Sequence, residues 1–351
     1  MENFLVLHNQ MVNSGVRLHG WHYDADFCQA KIGKGEMIHL LAETSNVCNQ
    51  DCEYCYTVEL TLDNDKFHSN QLPNELDWLE RKKLIDEAAS LGAVSYDVVG
   101  AGEPLVDPLF FKQIEYAASK NMIPIVFTNG SVLGGKKGPE YAQKLWELGA
   151  SVVVKWHSSN HEIHDRIVGR QGAGKKRDQA LQLLKEIGFN KTNPVRLGID
   201  NIVYQPTISE IPDCLRMCRE ENLFLICSSF IPSGRTQAGS EKESSFSELM
   251  ALYEECRNID EKEFGITHSG AMPYVGYGKT CSQYQGLYIT IGGEAFNCPG
   301  QSEPYGNIRQ SSLTQMWQKR VKSLKQFDGG CPPRQQYYQQ KENSNNLSPL
   351  F

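Results

Sequence analysis

Between residues 37 and 228, short apolar runs alternate with stretches in which apolar side chains recur every three or four positions. The runs at 37–42, 94–99, 123–127, 151–156, 197–204 and 223–227 read as strands. The periodic stretches carry helix punctuation. Leu84, Ala88 and Leu91 align before Gly92, and Phe110, Ile114 and Ala117 follow a cap and first-turn proline at Asp107 and Pro108. Tyr141, Leu145 and Leu148 follow Pro139 and stop at Gly149. One apolar stripe per helix is what a helix laid on a sheet needs. Six such strand–helix units predict an α/β fold with a parallel sheet, open or closed into a barrel. Function is then expected at the C-terminal ends of the strands.

The character changes after residue 240. Residues 245–259 read as one amphipathic helix, 287–291 and 294–298 as a hairpin turned on Gly292 and Gly293, and 312–322 as a short helix. The end of the chain, 336–351, is polar and Gln/Asn-rich, the composition of a loosely ordered tail.

Composition narrows the classes. The 351 residues are 40% hydrophobic, with 14 Phe, 15 Tyr and 5 Trp, enough for a substantial core. Lys+Arg 35 against Asp+Glu 42 gives a formal charge of −7, and no basic block stands out. Nucleic acid is therefore not an expected partner. No apolar run approaches the ~18 residues of a membrane span, and the first ten residues lack the basic start of a secretory signal. The expectation is a soluble, cytoplasmic protein.

The chain has 11 cysteines, an odd number that argues against a disulfide framework. Three of them, Cys48, Cys52 and Cys55, fall within eight residues directly after the first strand. A zinc site needs four ligands, and no His lies between residues 41 and 67 to supply the fourth. Three core cysteines sharing a loop would fit poorly among Asn49, Gln50, Asp51 and Glu53. Three thiolates on one short loop can instead hold three corners of a [4Fe–4S] cube, leaving one iron for an exchangeable ligand.

The spacing C-x3-C-x2-C, with Tyr54 before the last cysteine, resembles that of the radical S-adenosylmethionine (SAM) family. Further elements fall where that family has them. Gly100-Ala101-Gly102-Glu103-Pro104 after strand two is similar to the glycine-rich stretch that receives the SAM amino group, and Thr128-Asn129-Gly130 closes strand three. Lys155-Trp156-His157-Ser158-Ser159 ends strand four, where the resemblance implies a SAM contact for Ser158. The likeness runs over residues 37–235, ending in Pro232-Ser233-Gly234-Arg235. It implies a partial (β/α)6, TIM-like barrel over 37–240 after an N-terminal extension, 1–36. Implied cofactors are a [4Fe–4S] cluster on Cys48, Cys52 and Cys55 together with SAM. Implied cofactor contacts are Tyr54, Gly100, Gly102, Glu103, Thr128, Asn129, Ser158 and Arg170, with Arg166 as the alternative to Arg170. Electron transfer would break the sulfonium C–S bond and give a 5′-deoxyadenosyl radical, with a flavodoxin- or ferredoxin-type protein as reductant. Lys155 closes strand four and should point at the barrel mouth, toward substrate or the SAM carboxylate.

Cys281, Cys298 and Cys331, with Gly306-Asn307-Ile308, Leu313 and Trp317, resemble the twitch or SPASM extension of the same family. This implies a small α+β auxiliary-cluster domain over 241–335. There are too few cysteines for a full SPASM set, so one auxiliary [4Fe–4S] cluster is expected. Pro332, Pro333 and Arg334 stand where a closing cysteine pair would be. Its fourth ligand is then Cys227 or Cys256, or the iron is open. Cys256 shares a helical face with Leu249 and Leu252, which reads as core; the functional alternative is a hydrogen-atom donor to a substrate radical. Cys214 and Cys218, one helical turn apart, read as core.

Two motifs are set aside. His157, His161 and His164 lack a fourth ligand for zinc. Residues 169–175 nearly spell a P-loop, but Lys176 stands where Mg²⁺ needs Ser or Thr. The expected reaction is hydrogen abstraction from carbon of a small polar substrate, a sugar or aminocyclitol-like precursor, leading to dehydrogenation, epimerisation or elimination. The 36 residues before the first strand are too short for a peptide-recognition module, which makes peptide modification the alternative. A non-catalytic Fe–S protein is the rival from another class.

Overall fold

A computed structural model describes residues 16–21, 23, 25–57, 70–229, 234–235, 242–267, 286–297 and 303–324. Its strands are β1 (His39–Glu43), β2 (Ser95–Gly100), β3 (Ile123–Thr128), β4 (Ser151–Lys155), β5 (Leu197–Val203), β6 (Phe224–Ser229), β7 (Gly286–Ile289), β8 (Glu294–Phe296) and β9 (Gly306–Asn307). The helices are α1 (Ala25–Gly33), α2 (Trp78–Ser90), α3 (Phe110–Ser119), α4 (Gly138–Glu147), α5 (His161–Ile167), α6 (Ala173–Ile187), α7 (Ile211–Glu220), α8 (Phe246–Glu263) and α9 (Leu313–Leu324). All six expected barrel strands form, each within two residues of its sequence-read ends. The sheet is unclosed, in the order β6-β5-β4-β3-β2-β1-β7-β8-β9. β1 to β6 run parallel, β7 joins β1 in parallel, and β7, β8 and β9 turn back antiparallel. The C-terminal hairpin therefore extends the barrel sheet at the β1 edge. Its existence is local information; the edge it chooses is not.

Alternation along the strands sorts side chains into two layers. Val98, Val126, Val152, Val154, Leu197, Leu225, Leu287 and Ile289 face the helices in the main core. On the opposite, luminal face, Ile125, Val153, Phe224 and Ile226 pack with Leu18 and Trp21. Residues 16–21 thus close the N-terminal end of the barrel, anchored by a bridge between Leu18 and Val195. Ionisable side chains also stand on this face, from His39 against Trp21 at the closed end to Lys155 at the end of β4. In register, His39 stands beside Gly286, Asp97 beside Ile125, Lys155 beside Asp200, and Asp200 beside Ile226.

Local sequence explains the helix starts. Asp77 and Glu80 form a capping box at α2, and Ser245 and Glu248 form another at α8. Asp107 accepts from the Leu109 N–H at the start of α3. The C-terminal segment docks on α2, with Arg309 donating to both Glu80 oxygens and Leu313 N–H to Glu87. One turn further along α9, Trp317 Nε1 donates to Gly35 O, 2.6 Å away. Among the described residues no helix is long and apolar enough to cross a membrane.

Candidate active site

The segment after β1 carries Cys48, Cys52 and Cys55, all half-buried and lining one cavity of about 110 Å³ at the C-terminal ends of the strands. Every following crossover holds it. After β2, Gly102 N–H donates to Ser45 O (2.8 Å) and Glu103 N–H to Val47 O (2.9 Å). A Cβ on Gly102 would collide with Val47 O, so only glycine permits this approach. After β3, Asn129 Nδ2 donates to Asn49 Oδ1 (2.7 Å) and Gln50 Nε2 to Ser131 Oγ (3.3 Å). After β4, Tyr54 Oη lies 2.7 Å from His157 Nε2. The end of α5 adds two backbone bonds, Asp51 N–H to Val168 O and Glu53 N–H to Ile167 O, each 2.9 Å. After β5, Tyr204 Oη donates to Glu53 Oε1 (2.9 Å). After β6, Arg235 donates to Cys52 O (3.0 Å) and pairs with Asp51.

Glu103 binds two of these crossovers together. Its Oε1 accepts from Thr128 Oγ1 (2.6 Å) and Leu105 N–H (3.2 Å), and its Oε2 from Asn129 N–H (2.7 Å). Burial pushes its carboxyl up to about 6, against the pull of these donors. Opposite, Lys155 Nζ stands 2.5 Å from Asp200 Oδ2. His157 is held neutral by burial, reinforced by His164 and Lys155 nearby.

Tyr54, Gly100, Gly102, Glu103, Thr128, Asn129 and Lys155 all line the cavity with the three cysteines. Glu103 is committed to holding loops rather than standing free for a ligand, and Gly102 approaches Val47 rather than open space. Ser158 and Arg170 do not line the cavity. Ser158 is fully buried and its Oγ accepts from Asn160 N–H, while Arg170 is exposed. The expectation that Cys256 donates hydrogen to a luminal radical meets the wrong face of the sheet. Cys256 is fully buried with Cys214, Cys218 and Cys227 in the core between β6, α7 and α8. Cys227 and Cys256 are in that core too, away from the mouth cavity. Cys281, Cys298 and Cys331 lie outside the described residues. The near P-loop is filled by an acid, since Asp165 accepts from Gly172 and Gly174 N–H, where a phosphate would sit. Sequence reading missed Glu53, Tyr204 and Asp200. Tyr204 and Asp200 carried a usable signal, a polar residue in or closing an apolar strand run.

Three thiols lining one cavity suit a cube, which takes one thiolate per iron. Burial, with the neighbouring thiols, raises Cys48 and Cys52, the latter to about 12. Thiolates in this setting need a positive centre, which iron supplies.

Comparison with known proteins agrees with this geometry. A model of the Radical SAM superfamily matches residues 42–218, half of the chain. The Fe-coproporphyrin III synthase of Methanosarcina barkeri is 26% identical over 222 residues, 62% of this chain and 51% of that protein. The PqqA peptide cyclase of Granulibacter bethesdensis is 27% identical over 188 residues, 52% of this chain and 46% of that protein. The chain thus spans about half the length of these relatives. Streptococcus suis SuiB, crystallised with its precursor peptide SuiA, has the same fold at a TM-score of 0.59 and 15% identity, over 86% of this chain and 71% of that one.

Proposed function

Because the chain belongs to the radical SAM superfamily, we propose that this enzyme cleaves SAM reductively and takes hydrogen from carbon of a small polar substrate held in the barrel lumen. Family membership implies a [4Fe–4S] cluster and SAM. When bound, the pair supplies the electron and the carbon radical for hydrogen abstraction. Cys48, Cys52 and Cys55 would hold three irons. Glu103 keeps the loops after β2 and β3 in register with the cysteine loop. Lys155 and Asp200 present a fixed charge pair to the lumen, and Val99, Phe127 and Ile202 form the apolar wall that excludes water.

One observation carries the substrate reading. Asp97 Oδ1, Asp200 Oδ1 and Trp21 Nε1 are buried on the luminal face with no hydrogen-bond partner among the described residues, and the other Asp97 oxygen meets only His39 Nδ1, 3.2 Å away. Buried polar atoms in native proteins are almost always paired. A ligand rich in hydroxyl or amino groups, a sugar or aminocyclitol, satisfies such a wall; an apolar one leaves it unmet. The products would be those of dehydrogenation, epimerisation or elimination. A second reading, peptide modification, rests on the resemblance to a peptide cyclase. The test is 5′-deoxyadenosine release by the reconstituted, reduced enzyme with a sugar and aminocyclitol pool against a peptide pool. Acceleration by the first supports the proposal, acceleration by peptides alone replaces it, and no SAM cleavage at all ends both. We further propose one auxiliary [4Fe–4S] cluster on Cys281, Cys298 and Cys331, and a flavodoxin- or ferredoxin-type reductant in the cytoplasm.

A further inference from the structure

The outer side of the cysteine loop is covered by residues 166–176, the end of α5 and the start of α6. Contact is direct, through Val168 O to Asp51 N–H and Ile167 O to Glu53 N–H. A Cβ on Gly169 would lie 2.5 Å from Asp51 O, so nothing larger separates the two segments. On this cover Arg166, Arg170, Lys175 and Lys176 are all exposed. Among the described residues none of the four forms an ion pair, whereas Lys82, Lys120, Lys144, Lys185, Arg216, Arg257 and Arg309 elsewhere on the surface each face an acid. The acids of the same stretch are mostly spent. Asp165 accepts from Gly172 and Gly174 N–H, and Asp178 pairs with His161 and Arg177. Glu162 alone stays exposed without an ion pair. In a chain of net charge −7, stretch 161–178 holds five Arg or Lys against three Asp or Glu.

We propose that Arg166, Arg170, Lys175 and Lys176 form the docking surface for a small acidic one-electron carrier protein, a reduced flavin or iron–sulfur carrier. The inference rests on the radical SAM reading, which needs one electron per SAM cleaved. The carrier loses that electron and the sulfonium C–S bond takes it up, giving methionine and a deoxyadenosyl radical with no proton moved. An acidic carrier is repelled by an acidic surface and drawn to this cluster of four cations, which is also where the loop holding the cysteines comes to the outside. Complementary charge of this kind governs encounter rate and orientation more than contact area does.

The test compares the reconstituted wild type with the double variant Lys175→Glu and Lys176→Glu. Both residues are exposed, and acids in the first turn of α6 favour the helix. Two readouts are taken with flavodoxin as the probe: its Kd for the protein by calorimetry, and 5′-deoxyadenosine formation driven by flavodoxin or by dithionite. The expected result is a Kd and a flavodoxin KM raised about tenfold or more at low salt, the difference fading as salt is added, with the dithionite rate unchanged. Equal flavodoxin Kd and KM in the two proteins would overturn the proposal. So would a parallel fall in the dithionite rate, which would place the effect in the cysteine loop. A wild type that cleaves no SAM even with dithionite would refute the enzyme reading itself.

Discussion

The ammonium of Lys155 and the carboxylate of Asp200 meet as register partners across β4 and β5, both pointing into the lumen at the edge of the cysteine-lined cavity. The carboxylate is nearly buried, 5% exposed, and the ammonium 28%. Removing one charge leaves the other poorly solvated, so Asp200→Asn should cost about 1–3 kcal/mol. Adding Lys155→Met should return part of that loss, and a double-mutant cycle in urea should give a coupling of about 1–2 kcal/mol. Strictly additive losses would mean that the pair contributes nothing as a pair.

Glu103 predicts a pH dependence of stability. Its folded-state carboxyl is raised from 4.5 to about 6 by burial. Folding therefore favours the protonated form, and the contribution is fully present below about pH 4.5 and lost as the pH rises through 6. At 1.36 kcal/mol per unit, the loss amounts to about 2 kcal/mol. Glu103→Gln removes this slope. It also turns an N–H toward Asn129 N–H and loses an acceptor, so the variant should be less stable at neutral pH by about 1–3 kcal/mol. Unfolding free energies of both proteins at pH 4, 5, 6 and 7 measure the difference. It should be largest at the acid end and shrink toward pH 7, and a constant gap would remove burial as the cause.

Gly102→Ala should disable the site without unfolding the barrel. The added methyl meets the Val47 carbonyl on the way to Cys48 and has no flexible side chain to displace. The loop must move, and the three thiols with it. The expected outcome is a large loss of iron after anaerobic reconstitution with near-native far-UV circular dichroism. Gly33→Ala, whose Cβ would meet nothing within 4 Å, is the control and should bind iron as the wild type does.

Cys256→Ala distinguishes a core thiol from a hydrogen donor. Buried on the helix side of β6, Cys256 has a thiol raised to about 12 by burial, which keeps it protonated and inert. The variant should lose about 1–2 kcal/mol of stability and keep its full rate of 5′-deoxyadenosine formation and product turnover. Loss of product with SAM cleavage intact would restore the donor role.

The barrel strands were legible because burial on two faces leaves a continuous apolar run, and the cysteine loop because three thiols in eight residues have few other uses. What stayed hidden is what depends on distant pairing. Asp200 looks like a blemish in strand five until register puts it beside Lys155. Glu103 reads as a ligand contact until Thr128 and Asn129 fold over it. Cys256 has a helical face that suits either role, and only its side of the sheet decides. The edge that β7 selects depends on β1, 247 positions away, which no local period encodes.

The two sets of three cysteines can be separated by counting metal. In the protein reconstituted with iron and sulfide, Cys48→Ala/Cys52→Ala/Cys55→Ala should remove about four iron, the content of one cube, with the fold retained. If Cys281, Cys298 and Cys331 hold a second cube, about four iron and four sulfide should remain in that variant, and the further change Cys298→Ala should release them. The remaining signal should be indifferent to added SAM, because the site that exchanges a ligand has gone. Iron that falls to zero in the triple variant would leave the chain with one cluster, and a wild-type signal that SAM does not perturb would show that the mouth cluster closes its fourth iron by other means.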